Sequence, residues 1–263
     1  MAWLLGAWAW SGAQALAQSA PAPAAGPICA DRPGKGTSTC TAPAGHWQVE
    51  VDAVDLTHSR TGGGAMDFEV FAAANIKYGL TDRLDMELTL TPWQTSRGGG
   101  APSAQGFGDL VVRSKLALVP SGDITVALDP YVKIPTATGG LGDGAYEGGM
   151  VAPVAWTLPD QFSLALTPEL DWLKNGANGG RHIAYSATLG LGRALTPELT
   201  GGMELWGAVN ADPAGQTRQS SFDLSLAFIP AKAQWLQIDG GINLGLNRAT
   251  PQSEVYMGVS RRF

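Results

Sequence analysis

The sequence predicts an all-β protein, a single antiparallel transmembrane β-barrel of about 12 strands that follows a cleaved signal peptide. Apolar and polar residues alternate along many short stretches, the connections between them alternate between long and short, and the chain ends on Phe263. The 263 residues are 44% hydrophobic and 15% charged, whereas a soluble domain carries about 25% charged residues. No interior stretch approaches the roughly 20 apolar residues of a membrane helix. Strands with one lipid-facing side account for this combination.

Residues 1–17 have the composition of a secretory signal peptide. They are uncharged, rich in Ala, Leu and Trp, and end in the cleavage pattern Ala15-Leu16-Ala17. A first strand or an anchor helix is the alternative, which the short length and the small residues disfavour. Residues 46–263 are then the barrel, and residues 18–45 are a Pro/Gly-rich segment assigned to the periplasm.

Two cysteines, Cys29 and Cys40, lie in the segment that precedes the barrel. Exported chains meet an oxidising compartment, so we expect a structural disulfide between them. A metal site would need more ligands than two thiols. The sequence leaves open whether residues 18–45 hang in the periplasm or fold back into the lumen as a plug.

The alternation predicts the strands one after another along residues 46–263. In the second strand Asp67, Glu69 and Lys77 share one face, and apolar residues take the other. An even strand number places both termini and all short turns in the periplasm, and ten or fourteen strands are the alternatives to twelve. The predicted strands are residues 47–56, 67–80, 83–93, 108–119, 123–134, 147–158, 161–172, 182–192, 198–209, 220–229, 234–246 and 253–263.

Charged residues on the polar side of these strands are predicted to line the lumen, where acidic groups outnumber basic ones. Because paired charges stabilise neighbouring strands, we expect an ion-pair ladder of Glu87, Arg113, Lys115 and Asp129. The charges are either a rigid polar filling or an acidic filter that favours cations. The candidate lining residues are Asp85, Glu87, Asp109, Arg113, Lys115, Asp129, Lys133, Glu169, Asp171, Asp223 and Asp239.

The sequence offers little support for catalysis, cofactors or nucleic-acid binding. His46, His58 and His182 fall on separate segments without metal-site spacing. The glycine-rich residues 139–144 lack the Lys-Ser/Thr of a phosphate-binding loop and are predicted to be an outer loop. The net charge of −6, without a basic patch, argues against a nucleic-acid partner. We therefore predict no cofactor, no metal and no enzymatic activity.

Five motifs lie along the chain: residues 31–35 (DRPGK), 43–50 (PAGHWQVE), 78–84 (YGLTDRL), 106–110 (GFGDL) and 133–136 (KIPT). Together they resemble a family of outer-membrane transporters named for the meta-pathway of phenol degradation. The resemblance covers residues 30–263 and implies an outer-membrane barrel that moves hydrophobic or aromatic compounds. Arg261 departs from the usual barrel ending, where an apolar or aromatic residue stands two positions before the final Phe.

Together these features predict a passive channel for a small solute in the outer membrane of a Gram-negative bacterium. Its expected partners are outer-membrane lipids, the solute, and the barrel-assembly machinery, which would read the C-terminal strand and Phe263 as an insertion signal. A lipid-modifying enzyme, with Ser, His and a polar orienter at one height on the outer face, is the second hypothesis. A structural barrel that binds a partner without transport is the third.

Overall fold

The computed structural model describes residues 26–61, 64–177 and 179–263, which form a closed antiparallel β-barrel. The predicted signal peptide, residues 1–17, lies outside the described residues. In the described part of the chain, no helix is long and apolar enough to cross a membrane. The strands are β1 (Trp47–Thr61), β2 (Gly64–Thr81), β3 (Leu84–Leu90), β4 (Trp93–Gly98), β5 (Ala101–Gly106), β6 (Leu110–Val119), β7 (Ile124–Ile134), β8 (Glu147–Val151), β9 (Val154–Thr157), β10 (Phe162–Lys174), β11 (Arg181–Ala194), β12 (Leu199–Asn210), β13 (Thr217–Phe228), β14 (Leu236–Gly245) and β15 (Ser253–Arg262).

These fifteen segments make twelve barrel strands, as predicted, because three barrel strands are interrupted. The pairs β3 and β4, β5 and β6, and β8 and β9 each continue one another around the wall. Pro92 and Pro153 lie in two of the interruptions, where proline has no N–H to donate to a neighbouring strand. The barrel closes where β1 pairs with β15, starting with Gln48 opposite Arg262.

The connection between the predicted strands 83–93 and 108–119 is not a long loop but contains a hairpin. Here β4 and β5 pair beyond the interruption at Pro92 and extend the wall outward. Gly98, Gly99 and Gly100 make the turn with positive φ angles of 93°, 65° and 77°, which glycine adopts without steric cost. The alternation of small polar residues in this stretch is too weak to distinguish a hairpin from a loop.

The outer surface of the barrel is apolar, with aromatic residues at the strand ends. Trp47, Phe263 and Trp172 are 51%, 59% and 57% exposed, as expected of rings in the two membrane interfaces. Arg261 also points outward, with its guanidinium 4.8 Å from the ring centre of Trp235 and 4.5 Å from that of Phe263. Aromatic faces attract cations, so the two rings stabilise the Arg261 side chain at the membrane interface.

The predicted lumen-facing positions of Asp67 and Glu69 are wrong, because the alternation changes phase within β1 and β2. The pairing of β1 with β15 shifts between Asp52 and Val54, and Ala72 on β2 has a φ of 55°. Beyond this bulge Glu69 lies opposite Leu56, which is 45% exposed on the outer face. Directly opposed residues share a face of the sheet. Glu69, and Asp67 two residues before it, therefore face outward.

Candidate functional site

The lumen is occupied by residues 28–42, which we call the plug loop. The loop enters at the barrel end that carries the C-terminus, where the Ile28 N–H donates to the Gln234 carbonyl at 2.7 Å. It leaves near the turn between β2 and β3, where the Ala42 N–H donates to Asp85 Oδ2 at 2.7 Å. A disulfide joins Cys29 to Cys40 across its base. The sequence left open whether residues 18–45 enter the lumen; the structure has residues 28–42 inside the barrel, and residues 18–25 lie outside the described part of the chain.

Asp31 is the centre of the attachment between the plug loop and the wall. Lys115 Nζ lies 2.6 and 2.7 Å from the two carboxylate oxygens of Asp31, and Lys77 forms a second ion pair with the same group. The two lysine side chains are 0% and 1% exposed. Buried cations are costly without partners. The wall therefore depends on a carboxylate that the plug loop contributes.

Two neighbouring acids complete this cluster of charges. Lys77 Nζ lies 2.7 Å from Glu50 Oε1, and Lys115 Nζ lies 3.3 Å from Glu87 Oε1. Burial by itself raises the pKa of Asp31, but the ammonium groups of Lys115 and Lys77 outweigh it and hold that pKa well below its usual range. Asp31 is therefore ionised at neutral pH, and its charge attaches the loop to the wall.

Arg32 attaches the loop to the neighbouring part of the wall, on β1 and β14. Its guanidinium forms an ion pair with Asp52, and Nη2 donates to Asp239 Oδ1 at 2.9 Å. The carbonyl oxygen of Arg32 accepts a hydrogen bond from Gln237 Nε2 at 2.9 Å. Consecutive residues thus bind β2 and β6, and then β1 and β14, so their contacts follow the wall across the place where the barrel closes.

The tip of the plug loop contacts β12 and β15. The backbone N–H groups of Lys35 and Gly36 donate to the Glu204 carboxylate at 2.7 and 3.2 Å. Lys35 Nζ lies 3.0 Å from Glu254 Oε2 and 5.4 Å from the ring centre of Trp206. The tip is therefore held by a charge contact, a ring contact and two backbone hydrogen bonds.

The predicted ion-pair ladder is present on β3, β6 and β7. Lys115 pairs with Glu87 at 3.3 Å, and Arg113 Nη1 lies 3.3 Å from Asp129 Oδ2. The structure adds Asp31, which the sequence analysis did not assign to the lumen. The motif of residues 31–35 contains three charged residues in an otherwise weakly charged segment, and this was the available signal.

Lys133 and Asp109 lie at the outer end of the lumen. Lys133 Nζ contacts Asp109 at 3.2 Å, and Asp143 and Glu147 at 2.9 Å each. Burial alone would raise the pKa of Asp143, but the hydrogen bond from Lys133 lowers it to about 2. This cluster attaches the loop after β7 to the barrel rim and has no contact with Asp31.

The remaining predicted lining residues form short-range contacts along the wall. Asp239 holds Arg32, as described above. Asp171 accepts a hydrogen bond from the Tyr131 hydroxyl, Glu169 from Ser186 at 3.4 Å, and Asp223 from Ser221 at 3.1 Å. Within the described residues, no group of three or more His, Cys, Asp or Glu is placed to hold a metal ion.

Small cavities lie between the plug loop and the wall of the lumen. One of about 230 Å³ is polar and lies between Asp31, Glu87 and Arg113. Another, of about 190 Å³, lies between Pro33 and the inner wall of β10 to β13, where the side chains are small. At roughly 30 Å³ per water molecule, each has room for fewer than ten waters. The second cavity is lined by Ser163, Ala165, Gly190, Gly202, Ser225 and Ala227, among others.

A concavity of about 1050 Å³ lies on the outer wall of the barrel. Its rim includes Met203 and Leu226, which are 47% and 51% exposed. Gly201 and Gly240 leave this depression because they carry no side chains. Its apolar, outward-facing walls are covered by lipid in a membrane, so it is separate from the lumen.

A closed barrel of twelve antiparallel strands, with an apolar exterior and a charged interior, defines an outer-membrane β-barrel protein. The chain belongs to the family described as "Putative MetA-pathway of phenol degradation", which it matches over residues 30–263. No curated protein sequence matches the chain significantly.

Solved structures share the fold. An outer membrane channel from Pseudomonas putida F1 is 17% identical, with a TM-score of 0.67 over 88% of this chain and 99% of that one. The NanC porin is 9% identical, with a TM-score of 0.53 over 80% and 99%. The β domain of the Bordetella autotransporter BrkA is 15% identical, with a TM-score of 0.50 over 84% and 100%. At these low identities, it is the TM-scores that show a common fold.

Proposed function

We propose that the protein is a passive channel for a small solute in the outer membrane of a Gram-negative bacterium, closed at rest by the plug loop. One observation carries the proposal: the lumen is closed by a segment outside the barrel sheet, held largely by ion pairs and hydrogen bonds. Such contacts exchange readily with water when the loop moves. The phenol-degradation family and the outer membrane channel of similar fold agree with this function.

The path past the plug loop that we favour follows the inner wall of β10 to β13. In the cavity there, the wall carries mainly glycine, alanine and serine together with Glu204, and Pro33 is the loop residue that lines it. Little movement of the loop would therefore open a route along this wall. The weakly polar lining suits a solute with a hydrophobic or aromatic body. The Asp31 cluster lies across the lumen on β2 and β6 and keeps the loop attached there.

The test is single-channel conductance of the refolded barrel, with two adjacent glycines as a matched pair. A side chain at Gly202 would point into the lumen toward Ser225, whereas one at Gly201 would point outward toward Leu195 and Leu226. We expect Gly202→Val to lower the conductance of open events and Gly201→Val to leave it unchanged. Equal effects would contradict the route. Phenol, benzyl alcohol and glycerol, added in turn, would identify the solute class that blocks the current.

A salt gradient tests the charge of the lumen separately. Acidic residues outnumber basic ones on the lumen face, and rings of acidic groups favour cations in pores. The reversal potential should therefore indicate cation preference. Anion preference would contradict the hypothesis that the acidic residues act as a filter for cations. It would not contradict the proposal that the protein is a channel.

A lipid-modifying enzyme is the second candidate, because Ser253, His58 and Asp67 lie in one row across β15, β1 and β2. His58 Nδ1 lies 2.6 Å from Asp67 Oδ1, so the ring has an orienting carboxylate. No hydrogen bond between Ser253 and His58 is among those of the described residues. A nucleophilic serine needs a base within about 3.2 Å. Labelling by a fluorophosphonate that disappears in Ser253→Ala, and not in Ser59→Ala, would establish the enzyme; absence of labelling would exclude it.

A further inference from the structure

We propose that the wall around the plug-loop tip is a binding site for a small organic cation with a primary ammonium group, and that Lys35 occupies this site in the closed channel. The inference rests on the proposed channel function and names the charged end of its solute. It starts from a cavity of about 180 Å³ at the loop tip. Lys35, Trp206, Asn243 and Glu254 are among the residues that line it.

The wall at this point is a receptor for an ammonium group. Glu254 contributes a carboxylate 3.0 Å from the Lys35 Nζ atom, and Trp206 presents its ring 5.4 Å away. A carboxylate and an aromatic face are the two groups that bind alkylammonium ions most effectively. Both belong to the barrel wall, so they remain in place when the loop moves.

Lys35 leaves one hydrogen-bond acceptor of the wall without a partner. Asn243 is 4% exposed, and its Oδ1 atom has no hydrogen-bond partner among the residues that the structure describes. Its Nδ2 atom donates to Glu254 Oε2 at 2.9 Å, which fixes the amide beside the carboxylate. A buried acceptor without a donor is rare in folded proteins and is unfavourable. An ammonium has three donors, so a free amine could reach both Glu254 and Asn243.

The surrounding charge also favours a cation. Asp223 lies opposite both Glu204 on β12 and Asn243 on β14, so two further carboxylates flank the cavity. The Asp223 Oδ1 atom is also buried without a hydrogen-bond partner among the described residues. Lys35 is the cation that lines the cavity. A ligand with a positive charge is therefore preferred over a neutral or an anionic one.

Competition with Lys35 would connect binding to opening. A ligand shifts a conformational equilibrium only by its differential affinity for the two states. An amine that takes the place of Lys35 binds only when the loop tip has moved, so it favours the open state. A residue on a short tether has an effective concentration of about millimolar. Soluble amines should therefore act in the millimolar range.

The first experiment is chemical rescue of Lys35→Ala, which removes the equivalent of propylammonium from the site. We expect n-propylammonium to bind this variant, measured by calorimetry in detergent at constant ionic strength, at least about tenfold more tightly than it binds Lys232→Ala. Lys232 is an exposed lysine in the turn before β14 and serves as the matched control. Adding Glu254→Gln to Lys35→Ala should abolish the gain. Equal binding of n-propanol, or no gain over the control, would overturn the proposal.

The second experiment uses the wild-type channel in a planar bilayer. Addition of n-propylammonium on the outer side should raise the fraction of time spent open, with a half-maximal effect at about millimolar concentration. Propionate and n-propanol should have no effect. An unchanged open fraction would overturn the cation site and leave the channel proposal intact. A barrel that never conducts, even as Lys35→Ala, would instead contradict the channel.

Discussion

Replacing Asp31 by Asn should release the plug loop without unfolding the barrel. The substitution removes the carboxylate that contacts Lys115 at 2.6 and 2.7 Å and also pairs with Lys77. Breaking a buried ion pair by removing one partner costs about 3–5 kcal/mol. Here Glu50 and Glu87 still face the two lysines, so we take the lower figure of about 3 kcal/mol. Because each 1.4 kcal/mol is a factor of ten, the undocked fraction should rise about 100-fold.

Single-channel recording measures this rise directly as the fraction of time spent open. Asp160→Asn is the control, because Asp160 is an exposed carboxylate in the turn before β10. Heat-modified migration in gels verifies that both barrels are folded. An open fraction in Asp31→Asn equal to that of Asp160→Asn, with both folded, would refute the role of Asp31 as the main attachment of the loop.

Three further predictions follow from the same lumen contacts. The folded pKa of Asp31 lies below the unfolded value of about 3.9, so the contribution of Asp31 to docking is complete above that value and is lost as the pH falls below it. The open fraction of the wild-type channel should therefore rise below about pH 4. A rise that begins near pH 6 would contradict this. Reducing the Cys29–Cys40 disulfide should weaken docking of the plug loop by up to about 3 kcal/mol, because the cross-link limits the conformational freedom of the released loop. Single-channel recordings with and without reductant test this, and an unchanged open fraction would contradict it. Replacing both Arg113 and Lys115 by Ala should raise conductance and lower the temperature of heat modification, since Asp129 and Glu87 lose their partners. Unchanged values of both would show that the ion-pair ladder neither narrows the lumen nor stabilises the barrel.

The sequence by itself determined the class of fold and the strand number. Alternation with period two reports which side of a strand meets lipid, because that side must be apolar along its whole length. The short turns and Phe263 then set the frame, and the ladder of Glu87, Arg113, Lys115 and Asp129 followed from the strand order. Each of these features depends on neighbours along the chain or across one strand pair.

Only the tertiary structure decided what the lumen contains. The contacts of Asp31 with Lys77 and Lys115, and of Lys35 with Glu254, join residues that are far apart in sequence. A short polar segment has no periodicity that distinguishes a lumen from water, so the plug loop could not be predicted. The outward orientation of Asp67 and Glu69 could not be predicted either. One residue in an unusual backbone conformation, Ala72, reverses the faces of all residues beyond it.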